Sequence, residues 1–142
     1  MNKTQLTKFF SLKFSSQLLL IEASLYTIWA YLFIRLFSFK KYINWIKNPK
    51  RDTYNENEVR KVALTIKRIN KFAFWKTTCY TQAISARLIL KRKSVKSQIF
   101  LGICKQEDGN LLAHAWTKVN DKIITGGNVN IDKYKVLYIF ED

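Results

Sequence analysis

An apolar run over residues 18–37, LLLIEASLYTIWAYLFIRLF, constrains the fold more than any other feature of this sequence. A helix of this length could cross a bilayer about 30 Å thick. However, the run contains Glu22, and its polar residues recur every three or four positions, which predicts one polar stripe on a helix whose other faces are packed. That stripe consists of Ser24, Thr27, Tyr31, Arg35 and Ser38. We therefore expect a half-buried amphipathic helix first, a helix on a membrane surface second, and a membrane span last.

The composition predicts a globular chain. Apolar residues make up 48% and aromatic residues 15%, which excludes a disordered or low-complexity protein. The 142 residues are expected to form a single domain, with a helical amino-terminal region over 1–50 and a helix and sheet over 51–142. Two cysteines do not make a disulfide framework, so the cytoplasm is the expected compartment. Peripheral attachment to a membrane through the first helix stays open.

The chain is strongly basic. It has 25 Lys and Arg against 10 Asp and Glu, a formal net charge of +15. Such a field attracts polyanions, anionic membranes or acidic peptides. The sequence lacks helix-turn-helix spacing, a zinc-ligand pattern and an aromatic RNA-binding motif, so we expect no specific nucleic-acid partner. A basic scaffold or membrane-surface binding protein without catalytic activity is the alternative that this charge favours.

Helical periodicity dominates the first two thirds of the chain. Apolar residues repeat every three or four positions over residues 56–74, which predicts an amphipathic helix beginning after an Asn55 cap. The segment Ser38–Lys50 is predicted to be a short basic helix that ends before Pro49. Another helix is predicted from Cys79 to about Lys91, behind threonines that can cap it.

The pattern changes to strands after Val95. Ile99, Leu101 and Ile103 alternate with other residues, and further strands are predicted over 111–119, 122–126 and 135–140. Turns are predicted over residues 107–110 and 120–121. Helices followed by an antiparallel sheet make an α+β fold.

Two side chains suggest chemistry. Cys79 begins a predicted helix, where the positive end of the helix dipole favours the nucleophilic thiolate. His114 is the one histidine of the chain and lies within a predicted strand, so the two could form a Cys-His dyad if the helix packs on that sheet. Alternatively, His114 is a half-buried structural residue and Cys79 a small apolar one. Cys104 is expected to be structural, and no metal or cofactor is expected, because one histidine and two isolated cysteines cannot supply four zinc ligands.

Several segments together resemble the transglutaminase-like cysteine proteases of lasso-peptide biosynthesis, in the form whose leader-binding domain is a separate protein. The most specific are the cysteine-headed helix Cys79–Ala83 and the strand Ala113–Trp116. The others are Leu88–Lys93, Leu101–Lys105, Gly126–Gly127 with Asp132, Tyr134 and Leu137, and the apolar first helix with Ser38–Lys41. The resemblance therefore covers nearly the whole chain.

This resemblance implies a peptidase that cuts a ribosomally made precursor between its leader and its core. Cys79 would be the nucleophile and His114 the general base, in a fold where the cysteine helix packs on an antiparallel sheet. The implied partners are the lasso precursor peptide, a separate leader-recognition protein and an ATP-dependent lasso cyclase; an anionic membrane surface is left open as a further partner.

The third catalytic residue departs from the family pattern. The family typically has an Asp on the next strand, about twelve residues after the His, where this chain has Gly126 and Gly127. We expect Asp132 in this role, with Asn128 as the alternative, since an Asn can also orient the imidazole. A backbone carbonyl or a water molecule could replace both.

Overall fold

The computed structural model describes residues 10–36, 46–47, 49–73 and 77–141, except the side chain of residue 72. Three helices precede four strands. The helices are α1 (Phe14–Leu36), α2 (Glu56–Phe72) and α3 (Cys79–Arg92); the strands are β1 (Gln98–Lys105), β2 (Leu111–Val119), β3 (Lys122–Thr125) and β4 (Lys135–Phe140). A short 3-10 helix, Ile131–Lys133, precedes β4. The predicted α+β fold is confirmed.

The sheet is antiparallel throughout, in the order β3-β2-β1-β4. In the β1–β2 register Gly102 lies opposite His114, and Phe100 lies opposite Trp116. Because side chains alternate along a strand, these four share one face of the sheet. Residues on the other face, including Ile99, Ala115 and Phe140, pack with α3.

The caps that the sequence predicted form in α2 and α3. Asn55 accepts a hydrogen bond from the backbone N–H of Glu58 at 3.2 Å. Thr78 accepts from the N–H of Thr81, while the Thr81 hydroxyl accepts from the N–H of Thr78, a reciprocal capping box. These bonds fix where both helices begin.

The core has two parts. One lies between the three helices, and the other joins α1 and α3 to the sheet. Arg87, fully buried in α3, donates hydrogen bonds to the carbonyls of Ile46, Ser97, Phe140 and Glu141. The guanidinium therefore links the middle of α3 to the start of β1 and the end of β4.

The orientation predicted for α1 was wrong. Thr27, expected on a polar stripe, is only 1% exposed and donates to the Ala23 carbonyl at 2.6 Å. The buried face consists of Leu19, Ala23, Thr27 and Ala30. Glu22 forms an ion pair with Arg92 of α3. By length and composition alone, α1 is long and apolar enough to cross a membrane.

The short basic helix predicted over Ser38–Lys50 falls largely outside the described residues. Those that are described there, 46, 47, 49 and 50, do not form a helix.

Candidate active site

Cys79 is the first residue of α3, directly after the Thr78 cap, and is half-buried. The N–H groups of the first helical turn have no partner within the helix, and they carry the positive end of its dipole. An oxyanion formed beside the Cys79 sulfur could accept hydrogen bonds from these groups. The local structure therefore suits a nucleophile.

Asn70 fixes this end of α3 to α2. Its side-chain oxygen accepts hydrogen bonds from Thr77 Oγ1 at 2.5 Å and from Gln82 Nε2 at 2.9 Å. These donors lie on either side of Cys79 in the sequence. The position of Cys79 relative to α2 is thus set by two hydrogen bonds to one amide.

His114 lies in the middle of β2, and its Nε2 is 2.8 Å from the carbonyl oxygen of Gly126. Because a carbonyl oxygen can only accept, Nε2 must carry the proton of this hydrogen bond. In the neutral ring Nδ1 is then unprotonated and can act as a base. The described contacts thus assign one tautomer to the imidazole.

Gly126 cannot be replaced by a residue with a side chain without local change. Its φ is +78°, and a Cβ would lie 2.6 Å from the carbonyl oxygen of Ala115. The expectation that Gly126 or Gly127 lies near His114 is confirmed for Gly126. A backbone carbonyl therefore contacts the imidazole, which agrees with one of the alternatives that the sequence left open.

Asp132 and Asn128 do not make this contact. Both are exposed; Asp132 lies in the 3-10 helix, where its N–H donates to Asn130 Oδ1 at 3.1 Å. The catalytic role expected for Asp132, or for Asn128 instead, stays a prediction that no described contact supports.

Aromatic rings surround His114. The ring of Tyr134 is centred 5.2 Å from the imidazole, and that of Trp116 6.1 Å from it. Gly102 makes room for this cluster, since a Cβ there would lie 2.9 Å from the Trp116 ring and 3.1 Å from Tyr134 Cβ. Tyr134 was named only as part of the family resemblance, without a role, because it is placed by the irregular segment before β4 rather than by a periodic element.

Tyr134 also connects the histidine to both cysteines. Partial burial raises the pKa of its hydroxyl, and a hydrogen bond to Cys104 raises this pKa further, because it stabilises the neutral phenol. Negative charge on Cys104 and Cys79 acts in the same direction. Tyr134 therefore lies within electrostatic reach of both sulfurs and beside the imidazole.

A groove of about 560 Å³ opens next to this cluster. Its lining includes Cys104, Lys105, Leu112, Val129, Lys133 and Tyr134. Cys104 was expected to be structural. It is half-exposed in this groove, which also contains the ring of Tyr134 that packs beside His114. No group of three or more metal-ligating side chains occurs among the residues that the structure describes.

Cys79 packs against one face of the sheet, whereas the side chain of His114 lies on the other face. Cys79 packs on the core cluster that contains Ala115, the neighbour of His114 in the chain. Thr117 donates to the Ala83 carbonyl of α3, so the odd-numbered residues of β2 face that helix, and alternation turns His114 to the opposite face. The Cys79–His114 dyad stays a prediction, whereas contacts of His114 with Gly126 and Tyr134 are established.

A family model of the transglutaminase-like superfamily matches residues 28–139, from the second half of α1 into β4. Neither the curated proteins nor the solved structures gave a match. The matched region holds Cys79, His114, Gly126 and Tyr134, and this superfamily includes cysteine peptidases. Matched over most of its length, the chain belongs to the transglutaminase-like superfamily.

Proposed function

We propose that this chain is a cysteine peptidase that removes the leader from a ribosomally made lasso-peptide precursor. The observation that carries the catalytic part is the hydrogen bond from His114 Nε2 to the Gly126 carbonyl, since it leaves Nδ1 as a base. Cys79, at the capped start of α3, supplies the thiol that would act as the nucleophile. The leader and lasso specificity is supported by the sequence resemblance alone.

The proposal requires the Cys79 thiol and Nδ1 of His114 to meet when the precursor binds. Nδ1 then takes the thiol proton, and the Cys79 thiolate attacks the scissile carbonyl. The resulting oxyanion accepts hydrogen bonds from N–H groups at the start of α3. When the C–N bond breaks, the imidazolium gives its proton to the leaving amine and a thioester remains. Water, deprotonated by the imidazole, then hydrolyses the thioester and regenerates the thiol.

The Gly126 carbonyl would act as the orienting group. It can hold the ring and accept the Nε2 hydrogen, but as a neutral acceptor it stabilises the imidazolium less than a carboxylate does. We therefore propose a dyad rather than a triad with a charged third residue. The leader-recognition protein and the ATP-dependent cyclase are the proposed partners; the cyclase would use the freed amine of the core.

The test is Cys79→Ala compared with Cys104→Ala, which removes the other thiol. We expect Cys79→Ala to abolish cleavage of a precursor supplied with the leader-recognition protein, and Cys104→Ala to retain most of it. Mass spectrometry of the peptide products measures both, and thermal unfolding shows whether each variant is folded. Undiminished cleavage by folded Cys79→Ala would remove the peptidase assignment.

A non-catalytic scaffold with the same fold is the second candidate. The orientation of His114 favours it, because the ring points away from the sheet face that packs on α3. The rate at which iodoacetamide alkylates Cys79 near neutral pH separates the two candidates. A peptidase thiol reacts faster than Cys104 and slows in His114→Ala, whereas a scaffold thiol is insensitive to that substitution.

A further inference from the structure

The outward surface of α1 is made of large apolar side chains, which we call the outer face of α1. Their exposed fractions range from 49% for Ile21 to 74% for Phe14. The outer face consists of Phe14, Leu18, Ile21, Leu25, Leu32 and Leu36. Steps of three, four and seven residues align these side chains along one side of the helix. Soluble monomers rarely expose a continuous apolar stripe of this kind, so it indicates an interaction surface.

Most of the fully buried positions of α1 are occupied by small residues. Ala23, Thr27 and Ala30 are each at most 1% exposed and lie in the core. These small residues allow α1 to pack closely on its neighbours, and large apolar side chains such as Leu19 and Phe33 pack beside them, so α1 is apolar on its inner side as well as on its outer face. A helix that is apolar on all sides is normally covered on all sides.

The packing of α1 also determines how it can meet a membrane. Glu22 faces Arg92 of α3 and forms an ion pair with it. Crossing the bilayer would break this pair and expose the core that Ala23 and Thr27 fill. With its inner side held by the fold, α1 can only lie parallel to a lipid surface, as interfacial helices do.

Cations border the outer face. Lys13 is exposed one residue before α1, and Arg35 is exposed in its last turn. A groove of about 370 Å³ beside α1 includes Arg68 and the exposed apolar Leu64 of α2, together with Lys61, which forms an ion pair with Glu58. Glu22, the one acidic residue of α1, is paired inward. The surface thus combines apolar side chains with positive charge, in a chain of net charge +15.

We propose that the outer face of α1 docks on an anionic lipid surface. Its apolar side chains enter the boundary between headgroups and acyl chains, and the lysines and arginines beside it contact lipid phosphates. The side chains of the outer face from Phe14 to Leu32 are all apolar, so they offer no hydrogen bonds to a protein partner. A surface of this kind is compatible with the hydrocarbon of lipids. This docking is independent of peptidase activity.

The experiment is co-sedimentation of the full chain with vesicles. Pure phosphatidylcholine is compared with vesicles that contain about one third phosphatidylglycerol. We expect binding to the anionic vesicles at least ~10-fold stronger than to the neutral ones, and weaker at high salt. Leu25→Glu, at a residue 63% exposed, should lower the partition coefficient by ~10-fold or more.

Leu111→Glu is the matched control, because Leu111 is 69% exposed but lies on β2. It should bind anionic vesicles as the wild type does. Leu32→Glu repeats the test at a second position of the outer face if Leu25→Glu unfolds.

Three results would overturn the proposal. The wild type could fail to prefer anionic vesicles, or Leu111→Glu could weaken binding as much as Leu25→Glu. Alternatively, light scattering after size exclusion could show a dimer that Leu25→Glu dissociates, without vesicle binding; a second copy would then cover the outer face.

Discussion

The two faces of the sheet are stabilised in different ways. On the helix side, Ile99, Ala115 and Phe140 are each at most 3% exposed and pack in a continuous core with α3. On the opposite side, which we call the site side, Trp116 is buried, but His114 and Tyr134 beside it are only partly buried. There, one aromatic cluster and one hydrogen bond to a backbone carbonyl replace a hydrophobic core.

This difference separates stability from function. Burial of apolar area dominates folding free energy, so substitutions on the helix side should mainly lower stability. Substitutions on the site side remove fewer buried contacts but disturb the orientation of the imidazole. The predictions below test this division, from the largest expected change to the smallest.

Arg87→Met should give the largest loss of stability. Arg87 is fully buried and donates to four backbone carbonyls, so its removal leaves buried acceptors without these donors. We expect a loss of about 3 kcal/mol in the free energy of unfolding, measured by urea denaturation. Arg92→Met is the control; its side chain is 54% exposed and pairs with Glu22, so its loss should stay below about 1 kcal/mol. Equal losses in both variants would contradict the structural role of Arg87.

Gly126→Ala should combine moderate destabilisation with a change at His114. Gly109→Ala is a matched control, because both glycines have positive φ, +78° and +84°, but nothing lies within 4 Å of a Cβ at Gly109. We expect a loss of about 1 kcal/mol for Gly109→Ala, from backbone strain, and about 2 kcal/mol for Gly126→Ala, where a Cβ also meets the Ala115 carbonyl.

The histidine itself reports the local effect of Gly126→Ala. Since His114 is the one imidazole of the chain, its nitrogen resonances need no assignment. The wild type should show the Nε2–H tautomer, and Gly126→Ala should lose this preference while Gly109→Ala keeps it. An Nδ1–H tautomer in the wild type would contradict the hydrogen bond to Gly126 and the proposed base.

The sequence predicted well whatever depends on local periodicity. The starts of α2 and α3 follow from Asn55 and Thr78, which cap them, and the alternation of apolar residues located β1. It failed to orient α1, because large and small apolar residues surround that helix and periodicity cannot show which of them face the core. A polar residue such as Thr27 can be buried if its hydroxyl bonds to the preceding helical turn.

The site was predictable only in part. Cys79 and His114 were recognisable as a thiol at a helix start and a lone imidazole on a strand. The hydrogen-bond partner of that imidazole is a backbone carbonyl. Every residue has one, so no residue type in the sequence could indicate it. Tyr134 reaches His114 from the end of an irregular segment, whose path depends on the room left by Gly102 and on the turn at Gly126.

Tyr134→Ala and Tyr134→Phe should separate the ring from the hydroxyl on the site side. The ring packs beside the imidazole, so Tyr134→Ala should lower stability by only about 1 kcal/mol but reduce kcat for precursor cleavage ~10-fold, with little change in KM. Tyr134→Phe keeps the ring and should retain most of the activity. If both variants lose kcat equally, the hydroxyl and its bond to Cys104 matter, and ring packing does not explain the effect.

Glu58→Gln should give the smallest change in stability. It measures how much ion pairs contribute to the free energy of unfolding on the helix side, in addition to packing. Hydrogen bonds from Lys61 and Lys93 lower the pKa of Glu58 to about 2. A carboxylate with a lowered pKa stabilises the fold fully above its unfolded value near 4.5, and this contribution disappears as the pH falls through about 2. Because the Glu58 side chain is 30% exposed, its ion pairs with Lys61 and Lys93 should together contribute about 1 kcal/mol to the free energy of unfolding near neutral pH.

Thermal unfolding of Glu58→Gln at several pH values measures this contribution. The difference from the wild type should be constant from pH 7 to about 5, decrease below that, and vanish once the pH is below about 2. Glu56→Gln is the control, because Glu56 forms an ion pair with Lys122 in which both side chains are more than half exposed, so its substitution should leave stability unchanged. If Glu58→Gln destabilised the fold as much as Arg87→Met, ion pairing at the ends of α2 and α3 would rival the buried contacts of α3, and the helix side could no longer be attributed to packing.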